Sequence, residues 1–520
     1  MEMKKGKILW ADDEIELLRP HILFLEKKGY EVVPVTNADD AISLIRKEPF
    51  DLLLLDEMMA GKDGLTALAE VKEIRPSLPV VMITKNEEES LMEEAIGGKI
   101  DDYLTKPVNP SQILSTCKKF VESRQIEGAR LARDYPAQFN QVALAILNAG
   151  SWEDWISIYT KIVDWELELD RYPDLGLKHI LEDQKKSANL EFARFVEKHY
   201  LDWIHETPDS PPLSVDVVAE NVAPLLTGQK KVAFVIIDNM RLDQWLSIEP
   251  FLFPYFNVSR RFYYSILPTA TPFSRNGIFS GLYPLEIEQK YPTLWNGGTD
   301  DDFSRNRFER QLLDLQLQEM GLTVKPEPKY IKILDMSEGR SLERNIRSYT
   351  QTRLLSIVVN FVDIFSHNRS TSDILKEIVP DEPAFRSLTK SWFEHSYLYR
   401  VLRILSEEGF TVVMTSDHGS VRAMRGAKVV GDRETSTNLR YKFGRNLKCD
   451  SKYAFFIKDP RQYKLPTRGI SINYIIAKED YYFVYPTNFH KYLNYYKDSF
   501  QHGGISMEEM ILPVLRLEPK

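Results

Sequence analysis

Several polar side chains in the first part of this chain stand at the ends of apolar runs. Asp12-Asp13-Glu14 follows the run Lys7–Ala11, Asp56 closes Leu52–Leu55, Thr84 follows Val80–Ile83, and Lys106-Pro107 follows Asp102–Leu104. If those runs are parallel strands, their tips converge on one sheet edge, where acids can hold Mg²⁺ through oxygen ligands. The cation and Lys106 would neutralise an incoming phosphoryl group, and Thr84 would hydrogen-bond it. Asp56 would attack phosphorus to form an acyl phosphate. Asp and Thr are also common turn-formers, so the ordered set, not any one residue, carries this reading.

A second constellation follows Lys230. VAFVIIDNM places Asp238 at the tip of a hydrophobic strand, and IVVNFVDIFSH places Asp363 at another with His367 four residues on. FTVVMTSDHG supplies Asp417-His418 at a third tip, and QHGGISMEEMILPV supplies His502 before two glycines. Carboxylate oxygen and imidazole nitrogen are what Zn²⁺ takes where thiolate is absent, and Mn²⁺ suits them too. Six such ligands suffice for two metals sharing a substrate oxygen. The nucleophile candidate is Thr271 in ILPTATPFSRNGIFSGLYP. Pro272 is favoured at a first helical turn, and that helix would aim N–H groups at a bound anion. A hydroxyl there, deprotonated by a metal, can attack phosphorus. Arg275 and Asn276 are then candidates for phosphate contact, or equally solvated helix residues. His179, His199, His205 and His395 have no acids in a matching pattern and read as structural, and Arg307 and Arg310 as surface. The aromatics of Tyr474–Tyr496 read as core and receive no role.

The elements that must position these residues are α/β. The apolar runs, with Glu31–Val35, make five strands separated by helical patterns at Asp39–Lys47, Leu65–Ile74 and Glu88–Ile96. That alternation predicts a doubly wound five-stranded parallel sheet. From Pro110 to His205 apolar residues recur at helical spacing, as in Phe139, Val142, Ile146 and Trp152, Trp155, Ile156, Tyr159, Val163. This predicts a small connector bundle, closed by the polar, proline-rich linker Glu206–Leu213. Val232–Ile237, Leu354–Phe361 and Thr411–Thr415 then begin a large α/β domain with insertions, one of them between Asp363 and His395. The expected boundaries are 1–124, 125–206 and 207–520.

Bulk properties narrow the class. A chain of 520 residues is too long for one core. The net charge of -9, without a concentrated basic patch, argues against direct DNA binding. Cys117 and Cys449 are the only cysteines, which fits a reducing cytoplasm. No apolar stretch approaches the length of a membrane span.

The first 120 residues or so resemble two-component receiver domains. The resemblance implies that Asp12, Asp13 and Asp56 bind Mg²⁺ and that Asp56 accepts phosphate from a sensor histidine kinase. It also implies that Thr84 and Lys106 are the switch pair and Tyr103 the rotating aromatic. Met59-Ala60 stands where Met-Pro is usual, a change to a loop and not to the chemistry. Residues 230–518 are similar to the alkaline phosphatase superfamily, most of all its PglZ branch. This implies one zinc site of Asp363, His367 and His502 and another of Asp238, Thr271, Asp417 and His418. The Ser-Gly-Leu-Tyr-Pro run at Ser280–Pro284 resembles one that follows the threonine nucleophile of nucleotide phosphodiesterases, and its spacing selects Thr271 over Thr269. The three-part order is similar to response regulators linked to type IX secretion. The implied function is a phosphodiesterase acting on nucleotide-like substrates, with phosphorylation of Asp56 promoting a homodimer. The alternative is a non-catalytic, metal-stabilised scaffold that binds a sigma factor or secretion component.

Overall fold

A computed structural model describes residues 5–75, 78–85, 100–172, 175–295, 306–432, 436, 438–467 and 471–520. The helix expected at Glu88–Ile96 lies outside these residues. The chain divides into two compact units, Met1–Pro136 and Ala137–Lys520.

In the first unit the strands are β1 (Gly6–Ala11), β2 (Tyr30–Val35), β3 (Leu52–Asp56), β4 (Val80–Thr84) and β5 (Asp102–Thr105). They pair in parallel in the order β2-β1-β3-β4-β5. The uninterrupted leucines of β3 are wholly buried because both sheet faces are covered. Leu9, Leu53, Leu55 and Val80 pack with Ile42, Leu68 and Val71 from helices Ala38–Lys47 and Gly64–Ile74. Ile8, Trp10, Leu52, Leu54 and Val81 pack on the opposite face with Ile22 and Ile113, from Arg19–Lys27 and Pro110–Cys117. Asn37 and Asp63 cap two of these helices by accepting from the N–H groups of Asp40 and Thr66. Gly64 is required where it stands, since a Cβ there would lie 2.4 Å from the Asp56 carbonyl oxygen.

In the second unit a six-stranded sheet runs Phe256–Tyr264, Ile511–Pro519, Thr411–Thr415, Val232–Ile237, Leu354–Val359, Lys329–Ile333. The last four are mutually parallel, and Ile511–Pro519 is antiparallel to both of its neighbours. The three expected strands are present, with one correction. The strand at Leu354 ends at Val359, and Phe361 opens a helix to Thr371. Asp363 and His367 therefore share one face of a helical turn rather than a strand tip.

The expected connector is helical, with Trp152–Asp170 and Lys178–Trp203 following Ser123–Asn148. The two later helices are packed into the second unit. Asn189 accepts from the Met507 N–H at 2.8 Å, and the Leu267 N–H donates to the Tyr200 hydroxyl at 2.7 Å. Lys185 meets Glu166 at 2.9 Å and Glu508 at 3.0 Å; Arg241 meets Glu382 at 2.8 Å. Arg386 meets Asp170 at 2.7 Å and Asp243 at 2.8 Å. Glu382 and Arg386 come from the segment after Asp363, so that insertion supplies part of a buried ionic cluster under the connector. The charges' desolvation offsets much of their mutual attraction, so such a cluster adds little net stability. The Glu206–Leu213 segment is also less free than its composition suggests. Leu213 is buried, and the Tyr264 N–H donates to the Pro212 carbonyl at 2.9 Å, so the prolines dock where no strand N–H is needed.

Candidate active site

Among the described residues, three groups of acids and histidines are close enough to share a cation: Asp12, Asp13 and Asp56; Asp238, Asp417 and His418; Asp363, His367 and His502. Within each group the donor atoms lie within 4.8 Å of one another.

The first group sits at the carboxyl edge of the small parallel sheet. Lys106 Nζ is 2.9 Å from Asp12 Oδ2 and 2.9 Å from Asp56 Oδ1, tying β5 to β1 and β3. Burial pushes the Asp56 carboxyl up, aided by Asp12 and Asp13 and opposed by Lys106. An oxygen-only set with surplus negative charge suits a hard dication. The Thr84 hydroxyl donates to Glu57, and Tyr103 is 40% exposed.

The other two groups lie beside the strand ends of the large sheet, one on its strand tips and the other on the helix Phe361–Thr371 and a separate two-stranded sheet. Asp238 follows Val232–Ile237, Asp417-His418 follow Thr411–Thr415, and His502 follows the short strand Ser499–Gln501. His502 Nε2 is 3.4 Å from His367 Nε2 and 3.6 Å from Asp363 Oδ1. His367 Nε2 is 3.4 Å from the same oxygen. In the other group His418 Nε2 is 3.7 Å from Asp238 Oδ1 and from Asp417 Oδ2. The two groups meet where the His418 and His502 rings stack, 4.2 Å between centroids and 15° apart. Thr271 opens the helix Thr271–Ser280, and its Oγ1 is 3.0 Å from His418 Nε2. Thr269 is engaged elsewhere, donating to the Gly504 carbonyl at 2.8 Å and accepting from the Gly503 N–H.

The electrostatics suit cations. Burial, with Asp417 and Asp363 nearby, pushes Asp238 well above the usual carboxylate range, despite Arg275. Burial also holds the His502 imidazole well below its ordinary value, which leaves it neutral and able to ligate. Asp363 is half-buried; burial alone would raise its carboxyl, but the hydrogen bond and charge of His367 hold it below the usual range. The Asp238 and Asp417 carboxylates, both essentially unexposed, have Arg275 as the cation in contact, so further positive charge is called for. Oxygen and imidazole donors without thiolate fit zinc or manganese. Within these two groups His367 is the open residue, its side chain 53% exposed, so the centre meets solvent on that side.

Arg275 and Asn276, expected at the phosphate, are turned into the protein. Arg275 is 1% exposed, with Nη2 3.1 Å from Asp238 and Nε 2.9 Å from Glu309. Asn276 donates to the Pro272 carbonyl of its own helix at 3.0 Å. Their burial follows from the helix itself, every residue of which is buried. Residues missed in the sequence include Glu309, Asn239 and Asn360, which hold carboxylates and Arg275 from the second layer. Asn239 carried a signal, since an Asn just after a strand-end Asp suits a left-handed turn, and its φ is 64°. His205 and His395 bind the carbonyls of Gln462 and Ser391; Tyr474, Tyr481 and Tyr482 are core, but Tyr492 and Tyr495, on the helix Phe489–Tyr496, are exposed.

A small sheet with an acidic, lysine-bridged edge and a larger one gathering carboxylates and imidazoles define a response regulator with a phosphoesterase-like output domain. Residues 217–517, more than half of the chain, match the family described as the BREX system PglZ alkaline phosphatase-like domain. The chain belongs to this PglZ alkaline-phosphatase-like family. Residues 8–118 match the response regulator receiver domain, and residues 125–204 the PorX response regulator linker domain. The alginate biosynthesis transcriptional regulatory protein AlgB of Pseudomonas aeruginosa is 34% identical over 123 residues, covering 24% of this chain and 27% of that protein. The transcriptional regulatory protein ResD of Bacillus subtilis is 33% identical over 117 residues, 22% of this chain and 48% of that protein. The chain thus spans between about a quarter and a half of the length of such relatives. A CheY-like receiver domain from Methanospirillum hungatei is 28% identical, with 24% of this chain and 98% of that chain covered and a TM-score of 0.23. The receiver domain of NtrX from Brucella abortus is 30% identical, with 22% and 98% covered and a TM-score of 0.21. A receiver domain implies a phosphodonor such as a histidine kinase. Among the described residues no helix is long and apolar enough to cross a membrane.

Proposed function

We propose that phosphorylation of Asp56 controls a two-metal phosphodiesterase in the C-terminal domain. The contact of Thr271 Oγ1 with His418 Nε2 carries this reading, because it sets a hydroxyl against a metal-ligating set at a helix N-terminus. Asp363, His367 and His502 would hold one zinc, with Asp238, Asp417, His418 and Thr271 holding the other; manganese suits the same donors. Bound cations would offset charge on the phosphoryl oxygens and make the Thr271 hydroxyl acidic. His418 is set for its part, since its Nδ1 donates to the Gly419 carbonyl at 3.1 Å and leaves Nε2 with a lone pair. Thr271 Oγ1 forms the bond to phosphorus, the bond to the leaving oxygen breaks, and water then hydrolyses the phosphothreonine. Asp12, Asp13 and Asp56 would hold Mg²⁺ in the receiver, with Thr84, Lys106 and Tyr103 reporting the phosphoryl group.

The wider role follows the three-part order of domains: regulation of type IX secretion in the cytoplasm, through a homodimer formed on phosphorylation. Similarity around Thr271 favours nucleotide-like diesters. The test is hydrolysis of a chromogenic phosphodiester and its monoester by the zinc-loaded chain. Diester turnover that vanishes in Thr271→Val is expected. No turnover of either, with two metals bound, would overturn the enzyme and leave the scaffold that binds a sigma factor or secretion component.

A further inference from the structure

Two asparagines outside the metal-ligating set cross between its halves. Asn239 directly follows Asp238, yet its Nδ2 donates to Asp363 Oδ1 of the other group at 3.2 Å. Its backbone N–H donates to Asp417 Oδ1 at 3.3 Å. Asn360 precedes the helix that carries Asp363 and His367, yet its Nδ2 donates to Asp238 Oδ2 at 3.0 Å. Each amide thus stands on the element of one group and binds a carboxylate of the other.

The local geometry serves these contacts rather than ordinary ones. Asn360 occupies the N-cap position, where Asn ordinarily turns its side-chain oxygen back to the first N–H groups. Here it makes no capping bond, and its nitrogen faces Asp238. Asn239 adopts a φ of 64°, a conformation that Asn tolerates better than most residues, and it is 0% exposed. Facing carboxylates, only the NH₂ end of each amide can bond. Neither Oδ1 has a hydrogen-bond partner among the described residues, so the amides are held by what the nitrogens reach.

We infer that Asn239 and Asn360 are positioning residues, a crossed pair of amide straps that fixes the spacing and carboxylate orientation of the two metal groups. The inference rests on the two-metal reading. Each strap holds one oxygen of a carboxylate and directs its remaining lone pairs, which is how outer partners tune a metal site. The consequence is a crossed dependence: loss of a strap weakens the distant group, not the group on its own element.

Zinc affinity of the full chain, measured by competition with a chromophoric chelator, tests this directly. His418→Ala isolates the Asp363 group, and His367→Ala isolates the Asp238 group. Asn239→Gly keeps the left-handed turn and the N–H to Asp417 and removes only the strap to Asp363. In the His418→Ala chain it should lower zinc affinity about 10–100-fold. Asn360→Ala in the His367→Ala chain should do the same to the Asp238 group. Unchanged affinities, or losses confined to the group on the mutated element, would overturn the straps while the two-metal reading stands. A wild-type chain that binds neither zinc nor manganese would overturn both.

Discussion

Thr271 and His418 come from segments 147 residues apart, yet Oγ1 and Nε2 stand 3.0 Å apart in a buried pocket. The histidine cannot turn away, because its Nδ1 is committed to the Gly419 carbonyl. Thr271 opens a helix that is buried along its whole length, so its backbone is fixed by packing on the other side. A hydroxyl and a lone pair are thus held together by two independent constraints, one on each side.

That arrangement needs the hydroxyl and not the methyl group of Thr271. Thr271→Ser should retain diester turnover within about tenfold, whereas Thr271→Val should lose about a thousandfold or more. Thr271→Ser should match wild type in metal content, read by elemental analysis, and Thr271→Val, which keeps Asp238, Asp417 and His418, should still hold metal there. Equal turnover in both variants would remove Thr271 from the chemistry.

Gly419 is the clamp behind His418. A Cβ there would stand 2.0 Å from the backbone oxygen of Glu508 and 3.3 Å from Arg241 Cγ. Gly419→Ala must push two elements apart, at a cost of about 1–3 kcal/mol. A chemical-denaturation midpoint shifted downward, with weakened zinc binding, is expected; an unshifted midpoint would show that the loop yields freely.

Glu166 makes stability depend on pH. Burial in the ionic cluster, with Glu382 adding to it and Lys185 opposing, raises its carboxyl from 4.5 to about 6. The folded state therefore binds this proton more tightly than the unfolded state. Its contribution is full below about pH 4.5 and is lost as pH rises through about 6. Glu166→Gln carries no such loss, so its melting temperature should gain on wild type between pH 5 and 7. Parallel profiles for the two proteins would contradict this.

The receiver edge predicts its own chemistry. With Mg²⁺ and a small acyl phosphate donor, the wild-type chain should gain one phosphoryl group, seen as retarded migration in a phosphate-affinity gel. Asp56→Asn should not shift, and neither should wild type with Mg²⁺ chelated. Lys106→Ala frees Asp12 and Asp56 from their bridge, and should still be phosphorylated but without the wild-type change in association state. A shifted Asp56→Asn would move the acceptor elsewhere.

Much of this was readable in the residues themselves. Continuous apolar runs such as Leu52–Leu55 and Val232–Ile237 mark strands covered on both faces, and the polar residue that ends each run must stand at the sheet edge. Asp56, Asp238 and Asp417 were placed by that rule alone. Asp363 reads as a strand tip but stands in a helix, because an apolar run does not announce where a strand yields to a helix. Side-chain direction was another matter. Arg275 beside a candidate nucleophile reads as a phosphate ligand or a solvated helix residue, but its helix is buried on every side and the guanidinium turns to Asp238 and Glu309. Lys185 and Glu382, 197 residues apart, have no local pattern that pairs them, and the crossed amides of Asn239 and Asn360 have none either. Periodicity reports whether a residue is covered; only the packed tertiary structure decides which charge or amide it faces, because those partners are brought together by chain segments distant in sequence.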